Sequence, residues 1–305
     1  MEHLLARNST RKLFYTITLL VILVLFIIRF YVISQWGRLP DGNYSDSANI
    51  ANSIVDNLIA SFFVTIVVGS FYFWLLSIGH EQKVEMIASN LIEEELSKSR
   101  FNTEFWYFSG STGRYTRAKS IPEIAKMSRA QNSRKFFTIV VLNPDDKVLC
   151  YNYADYRAGL KTAKNSSEWT ELNVRKECYA TILACAVWKT KEPLIEINLG
   201  LTNCYSLFRI DMGKSSVIVT RENPQEPAIV AYEGMSLYKF YKDEFYQIYR
   251  QSKHLNLLQR FVAFESLTVV NVKELFNGLN FSNDLTDDDI TSIIEKAKKS
   301  QNPYD

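Results

Sequence analysis

The chain is poor in the residues that most often bind metals, with three histidines and four cysteines among 305 residues. The cysteines form no C-x-x-C pair, which argues against a structural zinc site. We therefore expect reduced thiols buried in a folded domain, and no metal or cofactor. The four cysteines are Cys150, Cys178, Cys185 and Cys204.

Net charge is also low. The formal charge of +2 at pH 7 predicts no broad basic surface for nucleic acid, although 35 lysines and arginines allow local basic patches. A hydrophobic content of 47% with 22% charged residues is typical of a folded chain. The length suits one ordinary domain plus a membrane segment.

Two long apolar runs occupy the N-terminal part of the chain. Residues 13–33 carry a single charge, Arg29, and residues 58–78 carry none. Each run supplies the roughly 20 residues that a helix needs to cross a bilayer, and the first is too long for a signal peptide. Trp36 and Trp74 lie near the ends of the runs, as interfacial anchors do. The sequence predicts a transmembrane hairpin over residues 13–79.

The orientation of this hairpin is predicted from the flanking charges. Arg7, Arg11 and Lys12 precede the first run, whereas the loop between the runs carries Arg38 together with several acidic residues. Positive charge favours the cytoplasmic side of a membrane. We therefore expect a multi-pass protein of the bacterial inner membrane, with residues 1–12 and the C-terminus in the cytoplasm.

Five positions of the hairpin indicate more than passive anchoring. Ser61, Thr65 and Gly69 follow one another at a spacing of four, so one side of the second helix is small. This side could pack within the hairpin or against another copy of the chain. Arg29 could extend to the lipid headgroups, or it could pair with Asp56 at a similar depth and line a pore in a homo-oligomer.

The remaining chain alternates between strand and helix patterns. We expect a juxtamembrane helical stem over residues 80–102, an α/β domain over 103–252 and a C-terminal helical extension over 253–305. Ser120 and Glu123 match a capping box at the start of a helix, and Thr286 caps the last helix. The fold class is therefore membrane plus α/β: a hairpin followed by a cytoplasmic α/β sandwich whose sheet is covered on both faces. The predicted strands cover residues 103–108, 136–142, 194–199, 206–211, 216–220 and 228–232, and the longer helices cover 174–188 and 235–252.

This α/β domain resembles a phospholipase D-like half domain. In that family a strand carries an H-x-K-x4-D motif, and a closing helix contains an F-x-x-[FYW] pattern, here near Phe245 and Tyr249. If Asp211 takes the place of the motif's aspartate, Cys204 stands at the position of the histidine and Ser206 at that of the lysine. The resemblance thus implies a degenerate phospholipase D-like fold without the nucleophilic histidine. We expect no enzymatic activity from it.

A glycine-rich turn after the first predicted strand is a candidate anion or nucleotide site. Such turns between a strand and a helix present backbone N–H groups to phosphates, and nearby arginines pair with the charge. A plain turn of small residues is the alternative. The candidate residues are Ser109, Gly110, Ser111, Gly113, Arg114 and Arg117.

A two-span hairpin that carries a domain without catalytic residues resembles the membrane effectors of bacterial anti-phage systems, and most of all the two-transmembrane effectors of retrons. The resemblance implies a reverse transcriptase–msDNA complex that keeps the effector silent, and disruption of the inner membrane on phage infection, which causes abortive infection. Two alternatives stay open. One is a membrane-anchored, non-catalytic module that senses a nucleotide or nucleic acid, and the other is a divergent phosphodiesterase-like enzyme.

Overall fold

A computed structural model describes residues 8–39, 43–78, 84–161, 163, 168–223, 225–257, 261–282 and 284–299. The chain divides into two compact units, Met1–Gln82 and Lys83–Asp305. We call them the hairpin unit and the soluble unit. Arg7 and Asp41, on which the predicted orientation partly depends, lie outside the described residues.

The hairpin unit consists of two long helices. Helix α1 covers Asn8–Ile27 and continues through a π-helical segment, Ile28–Ile33, and a last turn, Ser34–Trp36; helix α2 covers Asp46–Ile78. The segments Lys12–Trp36 and Asp46–Trp74 are long and apolar enough to cross a membrane, at 25 and 29 residues. Most of their large apolar side chains are exposed. This is the pattern of helices that face lipid rather than a protein core.

The two helices run antiparallel. Near one end the hydroxyl groups of Tyr15 and Ser70 are hydrogen-bonded at 2.8 Å. Near the other end Gly37 lies against Ala48, where a Cβ atom on the glycine would come within 2.3 Å of the alanine Cβ. Close approach at this position therefore requires glycine.

The soluble unit is built on one mixed sheet of eight strands among the described residues. The strands are β1 Glu85–Ile87, β2 Phe105–Ser109, β3 Lys135–Leu142, β4 Ile195–Thr202, β5 Phe208–Met212, β6 Ser216–Arg221, β7 Ala228–Tyr232 and β8 Lys253–Leu255. Their order across the sheet is β1-β7-β6-β5-β2-β3-β4-β8. Strands β2, β3 and β4 are parallel, and all other neighbouring pairs are antiparallel.

Helices cover both faces of this sheet, which confirms the predicted α/β class. They are α3 Ile92–Arg100, α4 Ile121–Gln131, α5 Lys147–Ala158, α6 Glu171–Lys191, α7 Ser236–Gln251, α8 Val269–Gly278 and α9 Asp287–Lys298. Helix α7 covers one face, where the ring of Phe245 stacks on Tyr107 at 4.9 Å between centroids. The opposite face buries the apolar side chains of α4, α6, α8 and α9 in one large core.

Helix α6 is the centre of this core. Almost every residue from Val174 to Val187 is buried, because the sheet lies on one side of the helix and α5 and α9 lie on others. A helix buried all round shows little amphipathic pattern. Two buried charges, Arg175 and Glu177, interrupt its apolar surface. Buried charges require partners, and those of Glu177 define the candidate site below.

The structure corrects two boundary predictions and adds one helix that was not predicted. Residues 84–100 do not form one helical stem, because Glu85–Ile87 pair with β7 as an edge strand and only Ile92–Arg100 are α-helical; residues 80–83 lie outside the described part. Residues 253–305 are not a separate extension, since β8 joins the sheet and α9 packs on α6. Helix α5 was absent from the sequence prediction.

Two local predictions also differ from the structure. Ser120 does not begin a helix, because it ends a π-helical segment, Thr116–Ser120, that leads directly into α4, and no capping bond forms. Glu123 accepts instead from the buried guanidinium of Arg100 at 2.6 Å. The predicted cap at Thr286 is confirmed, and Asp289 completes it as a capping box. Of the cysteines, three are buried as expected, whereas Cys204 is exposed.

Candidate functional site

A cavity of about 340 Å³ opens in the soluble unit beside the segment that follows β2. Its walls come from that segment, from the first half of α6 and from the end of α9. Three sequence-distant parts of the chain therefore meet around one space. The charged residues that line it are the cations Arg114, Arg117, Lys296 and Lys299 and the carboxylates Glu168 and Glu177.

Glu177 is the centre of this charge cluster. Its carboxylate accepts hydrogen bonds from Arg117 at 2.7 Å, from Arg114 at 3.0 Å and from Lys296 at 2.7 Å. Burial alone would raise the pKa of the Glu177 carboxyl, but the three surrounding cations outweigh it and hold this pKa well below its usual range. Glu177 is therefore ionised at any physiological pH.

Arg117 is held more rigidly than the other cations. Its side chain is only 4% exposed, and Nη1 donates to the backbone carbonyl of Glu177 at 3.0 Å and to the hydroxyl of Thr181 at 2.9 Å. Its Nε–H is buried and finds no acceptor within the part of the chain that the structure describes. A donor sealed in this way is not offered to a solute, so Arg117 acts as a fixed positive charge in the cavity wall.

The cavity carries an excess of positive charge. Four cations face two carboxylates, which leaves two positive charges uncompensated. Arg114 and Lys296 keep 36% and 25% of their side-chain surface exposed, and Lys299 is exposed. These three groups can therefore donate to a solute, and Arg114 and Lys296 also contact Glu177. The arrangement favours a ligand with negative charge.

The predicted glycine-rich turn has a different role. The structure brings Arg114 and Arg117 to the cavity, but the lining does not include Ser109, Gly110, Ser111 or Gly113. The N–H of Gly110 donates to the Val140 carbonyl at 3.2 Å, so it is used within the sheet.

The rest of the turn is packed tightly. The hydroxyl of Ser111 bonds with Tyr153 at 2.7 Å and with Glu222 at 2.6 Å. Gly113 has a φ of +68°, and a Cβ atom there would lie 2.9 Å from the Thr181 methyl group. Glycine therefore allows the chain to turn tightly against α6 and so positions Arg114 and Arg117.

Sequence reasoning missed the residues that complete the cavity. Lys296 and Lys299 lie more than 170 residues beyond Arg114 in the chain, so no local pattern joins them. Glu177 carried a usable signal, because it directly precedes the largely apolar stretch 178–187, and a glutamate that is buried with such a stretch has to be paired. Trp169 and Asn173 also line the cavity and were not predicted.

The positions aligned with the phospholipase D motif do not form a site. Asp211 is fully buried on β5, and its carboxylate accepts from Arg209 at 2.6 Å. Burial raises the pKa of Asp211 despite this partner. Cys204 is exposed in the turn after β4, and Ser206 accepts from the backbone N–H of Phe208 at 3.1 Å. A substrate at Cys204 would not contact the Asp211 carboxylate, which is sealed from solvent.

The hairpin unit contains a second candidate site, where the predicted pair forms. Arg29 and Asp56 make a bidentate ion pair between the helices: Nε of Arg29 donates to Oδ1 of Asp56, and Nη2 donates to Oδ2 at 2.9 Å. Their side chains remain 33% and 48% exposed. Arg29 lies in the π-helical segment of the first helix, and such segments are frequent at functional positions.

The small side of α2 divides into two parts. Gly69 packs within the hairpin, since a Cβ atom there would lie 2.7 Å from the ring of Phe14. Ser61 and Thr65 are exposed. Their hydroxyl groups donate to backbone carbonyls one turn earlier, at 2.8 and 2.9 Å. Packing within the hairpin is therefore observed for Gly69.

Among the described residues, no three His, Cys, Asp or Glu side chains lie close enough together to hold a metal ion. The chain matches no known protein-family model, and no curated protein matches it. The cavity in the soluble unit and the Arg29–Asp56 pair in the hairpin unit are therefore the two candidate functional sites.

Proposed function

We propose that the chain is a membrane effector of anti-phage defence whose hairpins cross the bacterial inner membrane, associate and disrupt it. The observation that carries the proposal is the Arg29–Asp56 pair, which stays partly open on two otherwise apolar helices. Charged side chains within a membrane are costly and mark functional positions. A lone anchor has no need of such a pair.

The pair lies at a depth where it can begin a polar path. Arg29 is roughly 26 Å beyond Lys12 along the first helix at about 1.5 Å per residue, close to the outer boundary of a hydrocarbon core about 30 Å thick. Asn57, Ser61 and Thr65 form a row at a spacing of four that begins beside Asp56 and runs into the core around the helix, and all three are exposed. In a single hairpin these polar groups would face lipid.

Association of several copies gives these groups better surroundings. Small residues at a spacing of four let membrane helices approach closely, and polar side chains form hydrogen bonds across the contact. Several Arg29–Asp56 pairs brought together in this way would surround water instead of lipid. The bilayer would then lose its permeability barrier, which is the effect expected of an abortive-infection effector.

The remaining parts of the proposal follow from the architecture. The basic residues before the first span favour cytoplasmic termini, so the soluble unit would face the cell interior. The resemblance to retron effectors supplies the partner: a reverse transcriptase–msDNA complex would bind the soluble unit and hold the effector silent.

An anchored, non-catalytic binding module is the second candidate, and the positively charged cavity favours it. A divergent phosphodiesterase, and with it the phospholipase D-like fold, is the weakest alternative because Asp211 is buried.

The test is membrane integrity in bacteria that produce the chain. We expect uptake of an impermeant dye and loss of membrane potential, and we expect the double variant Arg29→Leu/Asp56→Leu to abolish both, because it removes the pair without leaving a lone charge. The charge-swapped variant Arg29→Asp/Asp56→Arg should retain part of the effect. Membrane fractionation would verify that each variant inserts.

Packing within the hairpin gives a second pair of variants. Gly69→Leu places bulk against the Phe14 ring and should reduce dye uptake, whereas Ala60→Leu, at an exposed position of the same helix, should not. Asp211→Asn should leave dye uptake unchanged. The proposal fails if the Arg29→Leu/Asp56→Leu variant depolarises cells as strongly as the parent chain does. Loss of the effect in Asp211→Asn alone would favour an enzyme.

A further inference from the structure

We propose that the cavity beside Glu177 binds a small phosphorylated ligand of mononucleotide size, and that this ligand fastens helix α9 to the rest of the soluble unit. The inference goes beyond the membrane function proposed above and does not depend on it. It stands on the charge, the donors, the size and the walls of the cavity.

The charge of the cavity matches a phosphate monoester. Two positive charges remain after the carboxylates Glu168 and Glu177 are counted against the four cations. A phosphate monoester carries a charge of roughly −1.5 to −2 at pH 7. A ligand of this kind would neutralise the two positive charges, whereas a singly charged carboxylate would leave one of them uncompensated.

The donors also suit phosphate oxygens. Arginine and lysine side chains can only donate, and phosphate oxygens can only accept when they are fully ionised. Arg114, Lys296 and Lys299 keep surface open to the cavity, and Arg117 adds a fixed positive charge in its wall. A phosphate that enters would therefore meet donors from the segment after β2 and from the end of α9.

Size and wall chemistry favour a mononucleotide. A volume of about 340 Å³ lies at the low end of the roughly 300–1,000 Å³ of small-molecule sites, so a base with one sugar fits better than an oligonucleotide. Trp169 gives the wall a half-buried aromatic ring, with the guanidinium groups of Arg157 and Arg114 at 4.3 and 6.0 Å from its centroid, so a base would meet the ring and these cations together. Asn173 adds an amide for the polar edge of the base. Single-stranded nucleic acid needs an open groove instead.

The ligand would join parts of the fold that are distant in the chain. Arg114 follows β2, whereas Lys296 lies on α9 and Lys299 directly after it. Without a ligand, Lys296 contacts α6 through Glu177, and Lys176 of α6 contacts Asp289 of α9 at 2.7 Å. A phosphate held between Arg114 and the two lysines would add a direct connection and should stabilise α9 in place.

The test is calorimetric titration of the full chain in detergent micelles with AMP, ATP, inorganic phosphate and a short single-stranded DNA. We expect AMP or ATP to bind at least tenfold more tightly than inorganic phosphate. Lys296→Gln and Lys299→Gln should each weaken that binding about tenfold. Lys298→Gln removes the same charge from the same helix outside the cavity and should stay within twofold of the parent chain.

A thermal melt of each variant separates loss of the site from loss of the fold, and Lys299→Gln is the safer variant because Lys299 is exposed. The proposal is overturned if neither nucleotide binds at millimolar concentration, if Lys298→Gln weakens binding as much as Lys299→Gln, or if DNA binds and mononucleotides do not. The titration does not read membrane integrity. A negative result would therefore leave the membrane function standing, and intact membranes in the dye assay would leave this proposal standing.

Discussion

Replacement of Glu177 by glutamine tests whether the carboxylate at the centre of the cavity stabilises the soluble unit. Glutamine keeps the size and one acceptor oxygen but removes the charge that faces Arg117, whose side chain is 4% exposed. Loss of one member of a buried ion pair costs about 3–5 kcal/mol. We expect about 3 kcal/mol, the low end, because Arg117 keeps its bonds to the backbone carbonyl of residue 177 and to Thr181.

The assay is thermal unfolding of the full chain in detergent, followed by tryptophan fluorescence. For a domain of this size 1 kcal/mol corresponds to about 2–4 °C, so Glu177→Gln should lower the Tm of the soluble unit by roughly 6–12 °C. Glu168→Gln is the matched control, since Glu168 lines the same cavity but is exposed. Substitutions at exposed positions usually stay within about 0.5 kcal/mol, which is about 2 °C or less here.

Two results would refute this reasoning. A Glu177→Gln variant that melts within about 2 °C of the parent chain would show that the buried pair contributes little. Equal losses in Glu177→Gln and Glu168→Gln would assign the effect to general charge balance. The same substitution raises the charge excess of the cavity from two to three, so in protein that stays folded it should tighten phosphate binding. Stability and affinity are thus expected to change in opposite directions.

Three further predictions follow from the soluble unit. Hydrogen bonds from Arg175 hold the pKa of Asp284 below its usual range, and the surrounding cations do the same for the pKa of Glu177. Both pKa values are lower in the folded chain than in the unfolded chain, where they are about 4. The two ionised carboxylates therefore stabilise the fold fully above that pH, and the stabilisation is lost as the pH falls. The Tm should therefore fall between pH 5 and pH 3, less steeply in Glu177→Gln, and a Tm independent of pH in this window would contradict the assignment. A maleimide should label one thiol, Cys204, in the native chain and four thiols after unfolding, as counted by mass spectrometry. A second labelled thiol in the native chain would show that the buried cysteines are accessible. Met86 lies directly opposite Ile229 in the β1–β7 pair, so Met86→Cys/Ile229→Cys should form a disulfide on oxidation in a Cys204→Ser background; a helical stem in place of β1 would leave both thiols free.

Much of the hairpin could be predicted from the sequence. The length of an apolar run and the cost of charge in hydrocarbon are local properties, so the two spans and the unusual position of Arg29 are visible in the chain itself. The pairing of Arg29 with Asp56 was also predictable, because two antiparallel helices of known length place both residues at a similar depth. Whether Gly69 packs inside the hairpin or outside it was not, since that depends on how the helices are rotated against each other.

The stem shows how tertiary structure overrides a local pattern. Val84, Ile87 and Leu91 have a helical spacing, yet residues 85–87 add a strand to the edge of the sheet. The free energy of that pairing depends on β7, about 140 residues further along the chain, and periodicity in one segment carries no information about its partner. The absent capping box at Ser120 has a similar cause, because the preceding residues are already helical and leave the serine without a free helix start.

For the cavity, too, one part could be predicted from the sequence and another part depends on the tertiary structure. A tight turn after a strand, followed by Arg114 and Arg117, could be predicted from the sequence, because glycine and arginine in that order are a local feature. Glu177 and Lys296 meet these arginines only in the folded chain, across separations of 60 residues and more. Ion pairs between distant elements form only once packing has placed those elements together, so the chemistry of this site is a property of the folded chain.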